Sequence, residues 1–322
     1  MRLIRDVKCR ASRLLGKKAV AVVSIAFQQT LRRQVSCAGI GLHSGTRVSL
    51  TLKPAAAGTG IVFRRADLGV DIPAVVDHVA AINYATVLGH DGATVETVEH
   101  LLAALVAAGV DNVVVELTQP EVPIMDGSSA PFLFLIQEAG LKKLSAPRSY
   151  YKVLRPVTVT SGDKHIAIYP SDHFKVSYTI SFDHPLLRHQ SRTMRITEQS
   201  FSDEIASART FGFLKEVEWM RQQGLALGGS LDNAIVIGDT GPLNALRFDD
   251  EFVRHKILDA VGDLALLGKP VLGHVVAHRA GHGLHTMLAR QLLAEPDAVA
   301  VVEEISVPMA EPDAAPATVR VR

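Results

Sequence analysis

The chain has 322 residues, enough for one large domain or two of about 130 to 150 residues, and its 48% apolar content is ample for packed cores. Its 34 basic and 33 acidic side chains leave a net charge of +1, which argues against a nucleic-acid-binding surface or an acidic tail. The two cysteines, Cys9 and Cys37, form no CxxC pair. That excludes a disulfide framework and a thiolate metal site and suits a reducing compartment.

Residues 1–27 read as a basic extension: Arg2, Arg5, Lys8, Arg10, Arg13, Lys17 and Lys18 face a single acid, Asp6. The run Ala19 to Phe27 is too short to cross a bilayer. It resembles the core of a signal peptide, with a poor small-x-small pair at Ser24 and Ala26. A second basic pair, Arg32 and Arg33, follows at once. An upstream extension or an early start codon is therefore the expected reading, rather than export.

Residues 28–146 read as one α+β domain. Two strands flank a Gly-rich turn, Gly39 to Gly45, with His43 inside it. The segment TGIVFRRADL is a further strand, and VDHVAAINYATVLGHDGATV continues the β pattern through a turn at His90-Asp91-Gly92. Thr94 to Ala108 predicts a helix closed by Gly109. VDNVVVELT is a β-branched strand, and a second helix starts at Ser caps and Pro131. Asp126-Gly127 before it is read as turn chemistry. A linker is expected at Ser145 to Arg148.

Residues 147–304 repeat the plan. KVLRPVTVT, KHIAIYP and FKVSYTISF are strands, LKEVEWMRQQG is helix-like, and Glu251 to Asp263 predicts a helix running on to Gly268. KPVLGHVVAHR is a strand and HGLHTMLARQLLA a helix. Residues 305–322, rich in Ala and Pro, read as a disordered tail. The helix from Glu251 is the informative one. It puts His255, Asp259 and Asp263 on one stripe at i, i+4 and i+8, among the apolar Phe252, Ile257, Leu258 and Val261. Such groups entering an apolar interior must be paired or metal-bound. A solvated polar stripe is the alternative, unless a third ligand is found elsewhere.

His100 precedes Gly109 by the same interval as Asp259 precedes Gly268, and both glycines lead into a β-branched strand and then a helix. This pattern suggests an internal duplication. If the halves face each other, His100 meets His255 and Asp259 at their interface, where small-molecule sites tend to form. Two His and one carboxylate leave a tetrahedral zinc one open position, and Glu99 beside His100 can take a proton from the water that fills it.

VDHVAAINYATVLG, TVEHLLAALVAAGVDNVVVEL, PIMDGSSAPF, SARTFGF, LALGGSLDNAIV, RFDDEFVRHKILDAVGDLALLG and GHGLHTMLARQLL occur in this order between Gln28 and Ala294. Together they resemble the UDP-3-O-acyl-N-acetylglucosamine deacetylases, the zinc enzymes that commit the pathway to lipid A in Gram-negative bacteria. The resemblance implies an α+β fold of two similar two-layer sandwich domains, each with an insert, and a site at their interface. It implies one Zn2+ held by His100, His255 and Asp259, with Glu99 as general base. It implies His282 as the catalytic His, oriented by Asp263, with Thr210 at the reacting carbonyl and Lys256 and His43 near substrate. An insert at about 212–237 is implied to wall an acyl channel with Val217, Met220, Ala226, Gly229, Ser230, Ala234 and Val236, and Phe211 is expected to contact substrate.

Other polar residues carry plainer expectations. His274 and His278 fall in a β run, where packed or edge histidines are common; His285 is expected to line the mouth, and Trp219 to pack. The expected partner is a small UDP-linked acylated glucosamine, with no nucleic acid and no transmembrane segment, acted on by a monomer in the bacterial cytoplasm. Two other readings stay open. A nucleic-acid-binding module would retain RNA and lack metal. A zinc hydrolase of another acylated sugar or amide would differ in its preferred substrate.

Overall fold

A computed structural model describes residues 21–184 and 187–308. The basic segment 1–20 and residues 309–322 of the expected tail lie outside them. Alternation in the sequence becomes alternation in burial: Arg47–Pro54 buries Val48, Leu50 and Leu52, and Val113–Leu117 buries Val113, Val115 and Leu117.

The first sheet has the order Val35–Ile40, Arg47–Pro54, Val113–Leu117, Ile61–Arg65, Val70–Pro73. Its successive pairings are antiparallel, antiparallel, parallel and antiparallel. In the second half, Val157–Ser161, Lys164–Pro170, Val271–His278, Phe174–Ile180 and Gln190–Arg195 pair in the same sequence of senses. Tyr150–Val153 and Val299–Val302 extend this sheet beside Val271 and Leu272.

Each central strand sits between two helices in the chain. Helix α1 (Glu99–Ala107) and helix α2 (Ala130–Ala139) flank Val113–Leu117. Helix α3 (Glu198–Glu204) and helix α4 (Leu214–Gln222) precede helix α5 (Glu251–Leu264), and α5 and helix α6 (His282–Ala294) flank Val271–His278. Gly109 ends α1 with φ 76°, and the amides of Gly109 and Val110 return to the carbonyls of Val106 and Leu105. Gly268, after a short 3-10 turn that follows α5, has φ 79°. Both glycines meet the expected stop.

Helices α1 and α5 are buried nearly all round and pack against each other. The contact is backbone to backbone at Gly262, where an added Cβ would stand 2.0 Å from the Glu99 carbonyl oxygen. Glycine here sets how near the helix bearing His100 comes to the helix bearing His255 and Asp259.

Several expectations need correction. The helix predicted from Thr94 starts at Glu99; Ala93–Val95 is a strand paired with Val87–His90. The β-branched Thr94, Val95 and Thr97 favour extended backbone, and Thr97, at φ 58°, cannot sit in a right-handed helix. Of the serines expected to cap α2, Ser128 accepts the Ala130 N–H at 3.3 Å, whereas Ser129, at the N-cap position, makes no side-chain cap and its hydroxyl donates to the His100 carbonyl at 2.7 Å. The expected linker is no linker: Leu141–Pro147 is a strand antiparallel to Phe27–Leu31, with a register shift between Lys143 and Pro147. Strand pairing satisfies the backbone groups that a free linker would leave to water. The extension expected over residues 1–27 also enters the fold at its end. Ala21–Ile25, from the supposed signal core, pairs with Glu304–Pro308, so the first tail residues form a strand too.

Gly262→Ala is expected to force α1 and α5 apart. Overpacking of this kind costs about 1 to 3 kcal/mol, read as a fall in thermal midpoint, and retained metal per chain should fall with it.

Candidate active site

A cluster of metal-ligand type forms where α1 crosses α5. His100 and His255 place their rings 5.0 Å apart at 82°. The Nε2 atoms of His255 and His100 lie 3.2 and 3.7 Å from Asp259 Oδ1. One ligand atom from each of the three falls within 4.8 Å of the others, and all three residues are buried. His255 Nδ1 lies 3.1 Å from the Ala208 carbonyl. A carbonyl only accepts, so Nδ1 carries the proton and Nε2 turns its lone pair inward.

Burial and the nearby His255 push the His100 ring down to about 3, and burial lowers His255 against the pull of Asp259. Burial alone would raise Asp259, but His255, Lys256, His282 and His100 together hold it well below the usual carboxylate range. Two neutral imidazoles and a carboxylate are what a divalent ion such as zinc binds. Asp259 Oδ1 is buried with no hydrogen-bond partner, so the fit is that of a set with one cation still to satisfy. Lys256 Nζ donates to the other oxygen, Oδ2, at 2.5 Å. Burial opposes its charge, but Asp259 more than offsets this and raises it.

The second cluster centres on Asp263, which has no exposed surface. Its Oδ2 accepts from Nδ1 of His282 and from Nδ1 of His285, each at 2.7 Å, and its Oδ1 accepts from the Thr86 hydroxyl at 2.6 Å. Burial would lower His282, but Asp263, Glu99 and Asp259 lift it to about 9. Burial lifts Glu99 the other way, to about 7, against the pull of His282. The two face each other with His282 Nε2 3.9 Å from Glu99 Oε1, too far for a direct hydrogen bond. Glu99 Oε2 accepts the Thr86 backbone N–H at 3.1 Å. One group is thus poised near neutrality to take a proton and the other, a cation, to give one.

Beside the clusters lies a cavity of about 300 Å³. Every residue assigned from sequence to the channel lines it: Val217, Met220, Ala226, Gly229, Ser230, Ala234 and Val236, together with His43, Thr210 and Phe211. The Phe211 ring stands 6.2 Å from that of His255, which joins the cavity to the metal-type cluster. Thr210 is held through its backbone: its N–H donates to Gly127 and its carbonyl accepts from Ile235. Gly127, at φ 84°, belongs to the expected Asp126 turn and touches the insert, since a Cβ there would lie 1.9 Å from the Asn233 carbonyl. His43 is buried with neither ring nitrogen bonded. Burial lowers it against Glu121, whose carboxylate clamps the backbone of His43 and Ser44 and the hydroxyl of Thr97.

The expectation that His285 lines the mouth is corrected: it is wholly buried, with Nε2 3.0 Å from the Tyr178 hydroxyl. Its spacing of three from His282 on one helix was a usable signal. Thr86, Tyr178 and Glu121 carried none, because their partners lie far along the chain. His274 and His278 do lie in the β run, one bonded to Ser177 and the other stacked on His165 at 5.3 Å. Trp219 packs at the surface, half exposed with its ring 6.4 Å from that of Tyr84.

The sequence pattern of the UDP-3-O-acyl N-acetylglycosamine deacetylase family matches residues 28–294. The chain belongs to that family. A deacetylase-family relative from a Geobacter species, UDP-3-O-acyl-N-acetylglucosamine deacetylase, is 51% identical over 281 residues, covering 86% of this chain and 92% of its own. Relatives of the same name from Myxococcus xanthus and Pseudomonas entomophila are each 51% identical, covering 85% of this chain and 89% and 93% of theirs. The matched span contains both clusters and every cavity residue named above. Among the described residues no helix is long and apolar enough to cross a membrane.

For the metal-type cluster, a chelator-stripped sample should gain thermal stability on adding Zn2+, by about 2.7 kcal/mol at a hundredfold excess over Kd. Asp259→Asn, measured in the same titration, should lose most of that gain.

Proposed function

We propose that this chain is a metal-dependent amidohydrolase that removes the N-acetyl group from UDP-3-O-acyl-N-acetylglucosamine and releases acetate, the committed step of lipid A synthesis. The observation that carries the reading is the convergence of His100, His255 and Asp259 beside Glu99 and His282, with Phe211 of an apolar-walled cavity 6.2 Å from the His255 ring. His100, His255 and Asp259 would hold the ion, read as zinc. Bound there, zinc would polarise the acetyl carbonyl and bring the pKa of a water molecule down towards about 7.

The remaining chemistry belongs to the chain. Glu99 takes the proton of the attacking water, for which a carboxylate pushed up to about 7 is well matched. His282, lifted to about 9 by Asp263 and its neighbours against burial, stays cationic at neutral pH and gives a proton from Nε2 to the departing glucosamine nitrogen. Asp263 holds the opposite ring nitrogen, so Nε2 faces the reaction. The Thr210 hydroxyl and cationic His282 stabilise the developing oxyanion, each such contact being worth about 3 kcal/mol. Lys256 and His43 contact substrate, and Phe211 with the insert walls receives the acyl chain. The reading makes the two halves copies of one duplicated unit with the site between them. It also makes the enzyme a cytoplasmic monomer with no nucleic-acid partner.

Glu99→Ala and His282→Ala should each lose about 100-fold or more in kcat while metal analysis still finds one ion per chain; a metal-free variant would reassign that residue as a ligand. The profile of kcat/KM should be bell-shaped: rising as Glu99 loses its proton through about 7 and falling as His282 loses its own through about 9. Release of acetate from the UDP-linked acylated sugar, but not from free N-acetylglucosamine, tests the substrate. Equal turnover of both would favour another amidohydrolase.

A further inference from the structure

Thr86 lies in the loop between Val79–Ala81 and Val87–His90, near neither proposed proton carrier in sequence, and its side chain is fully buried. It touches both. Its N–H donates to Glu99 Oε2 at 3.1 Å, its carbonyl accepts the N–H of Val98 at 3.5 Å, and its hydroxyl donates to Asp263 Oδ1 at 2.6 Å. Asp263 is ionised, so it only accepts, and the hydroxyl proton must point at it. Because Oδ2 is already shared by His282 and His285, Thr86 supplies the partner of the remaining oxygen. The loop is held in an uncommon shape to do this, with Tyr84 at φ 63° two residues earlier.

We propose that Thr86 is a positioning residue for the reaction: its hydroxyl fixes the Asp263 carboxylate, and thereby the His282 ring, relative to Glu99, which its own backbone holds. One residue of the first half thus sets the distance between two proton carriers on α1 and α6. Without the hydroxyl, Oδ1 stays buried and unpaired, and the carboxylate turns to recover a donor. The His282 ring, held at Nδ1 by the same carboxylate, turns with it. The inference rests on the roles of Glu99, Asp263 and His282 proposed above.

The test compares Thr86→Val, which keeps shape and N–H but removes the hydroxyl, with Thr86→Ser, which keeps both polar groups. Thr86→Val should lower kcat about 10- to 100-fold, the usual effect of losing a supporting hydrogen bond. KM and metal content should be unchanged, and Thr86→Ser should restore turnover. In a His282→Ala background Thr86→Val should cost nothing further, since residues acting as one unit are not additive.

Wild-type turnover in a folded Thr86→Val would overturn the inference, as would an undiminished loss in the His282→Ala background. If Thr86→Val and Thr86→Ala both fail to fold while Thr86→Ser folds and turns over normally, the hydroxyl is structural and the inference is again overturned. Asp263→Ala and His282→Ala are assayed alongside. Full turnover in those two sinks the catalytic assignment itself, whereas their loss with an active Thr86→Val sinks only the role given to Thr86.

Discussion

The rest of the structure depends on the close crossing of α1 and α5. Where Gly262 faces the Glu99 carbonyl, there is no room for a side chain, and the two backbones meet. Each helix carries groups that are costly to bury: Glu99 and His100 on one, His255, Asp259 and Asp263 on the other. Brought together, His100 meets Asp259 across the crossing, while Glu99 and Asp263 find their donors in the Thr86 loop and α6. The strand orders of the two sheets match, and each helix is followed by a left-handed glycine, Gly268 after a short 3-10 turn.

Within that crossing, environment separates groups of the same chemical type. Glu99 and Asp263 are both buried carboxylates, yet Glu99 is pushed up and Asp263 held far down. The difference lies in their donors: Glu99 accepts from one backbone amide, whereas Asp263 accepts from two imidazoles and a hydroxyl. The same logic divides the histidines. His100 and His255 are drained of charge by burial, while His282 keeps its charge through Asp263. Groups that could hold a cation and groups that could move protons therefore sit side by side.

The stretch leading into the insert is tied to this centre through both backbone and side chains. Thr210 is strung between Gly127 of the first half and Ile235 of the second, and Phe211 follows directly against His255. Buried Glu251 accepts from the backbone N–H and side chain of Arg209, which pins the stretch preceding Thr210 to the start of α5. The cavity wall and the polar clusters thus share one support.

Much of this was legible in the sequence. The spacing of His255, Asp259 and Asp263 determined that they share a helix face, because the turn of an α-helix leaves no other choice. The paired intervals to Gly109 and Gly268 identified where both long helices stop, and the ordered motifs named the family and its cavity residues. The sequence misread what depends on distant partners. Leu141–Pro147 is a strand because Phe27–Leu31 lies beside it, and α1 starts late because Thr97 turns its hydroxyl to Glu121. Thr86 and His285 gained their places on Asp263 only when the loop and α6 were folded against α5. Local spacing decides which side chains share a face; a carboxylate's donors are decided by whatever the whole chain packs within hydrogen-bond reach.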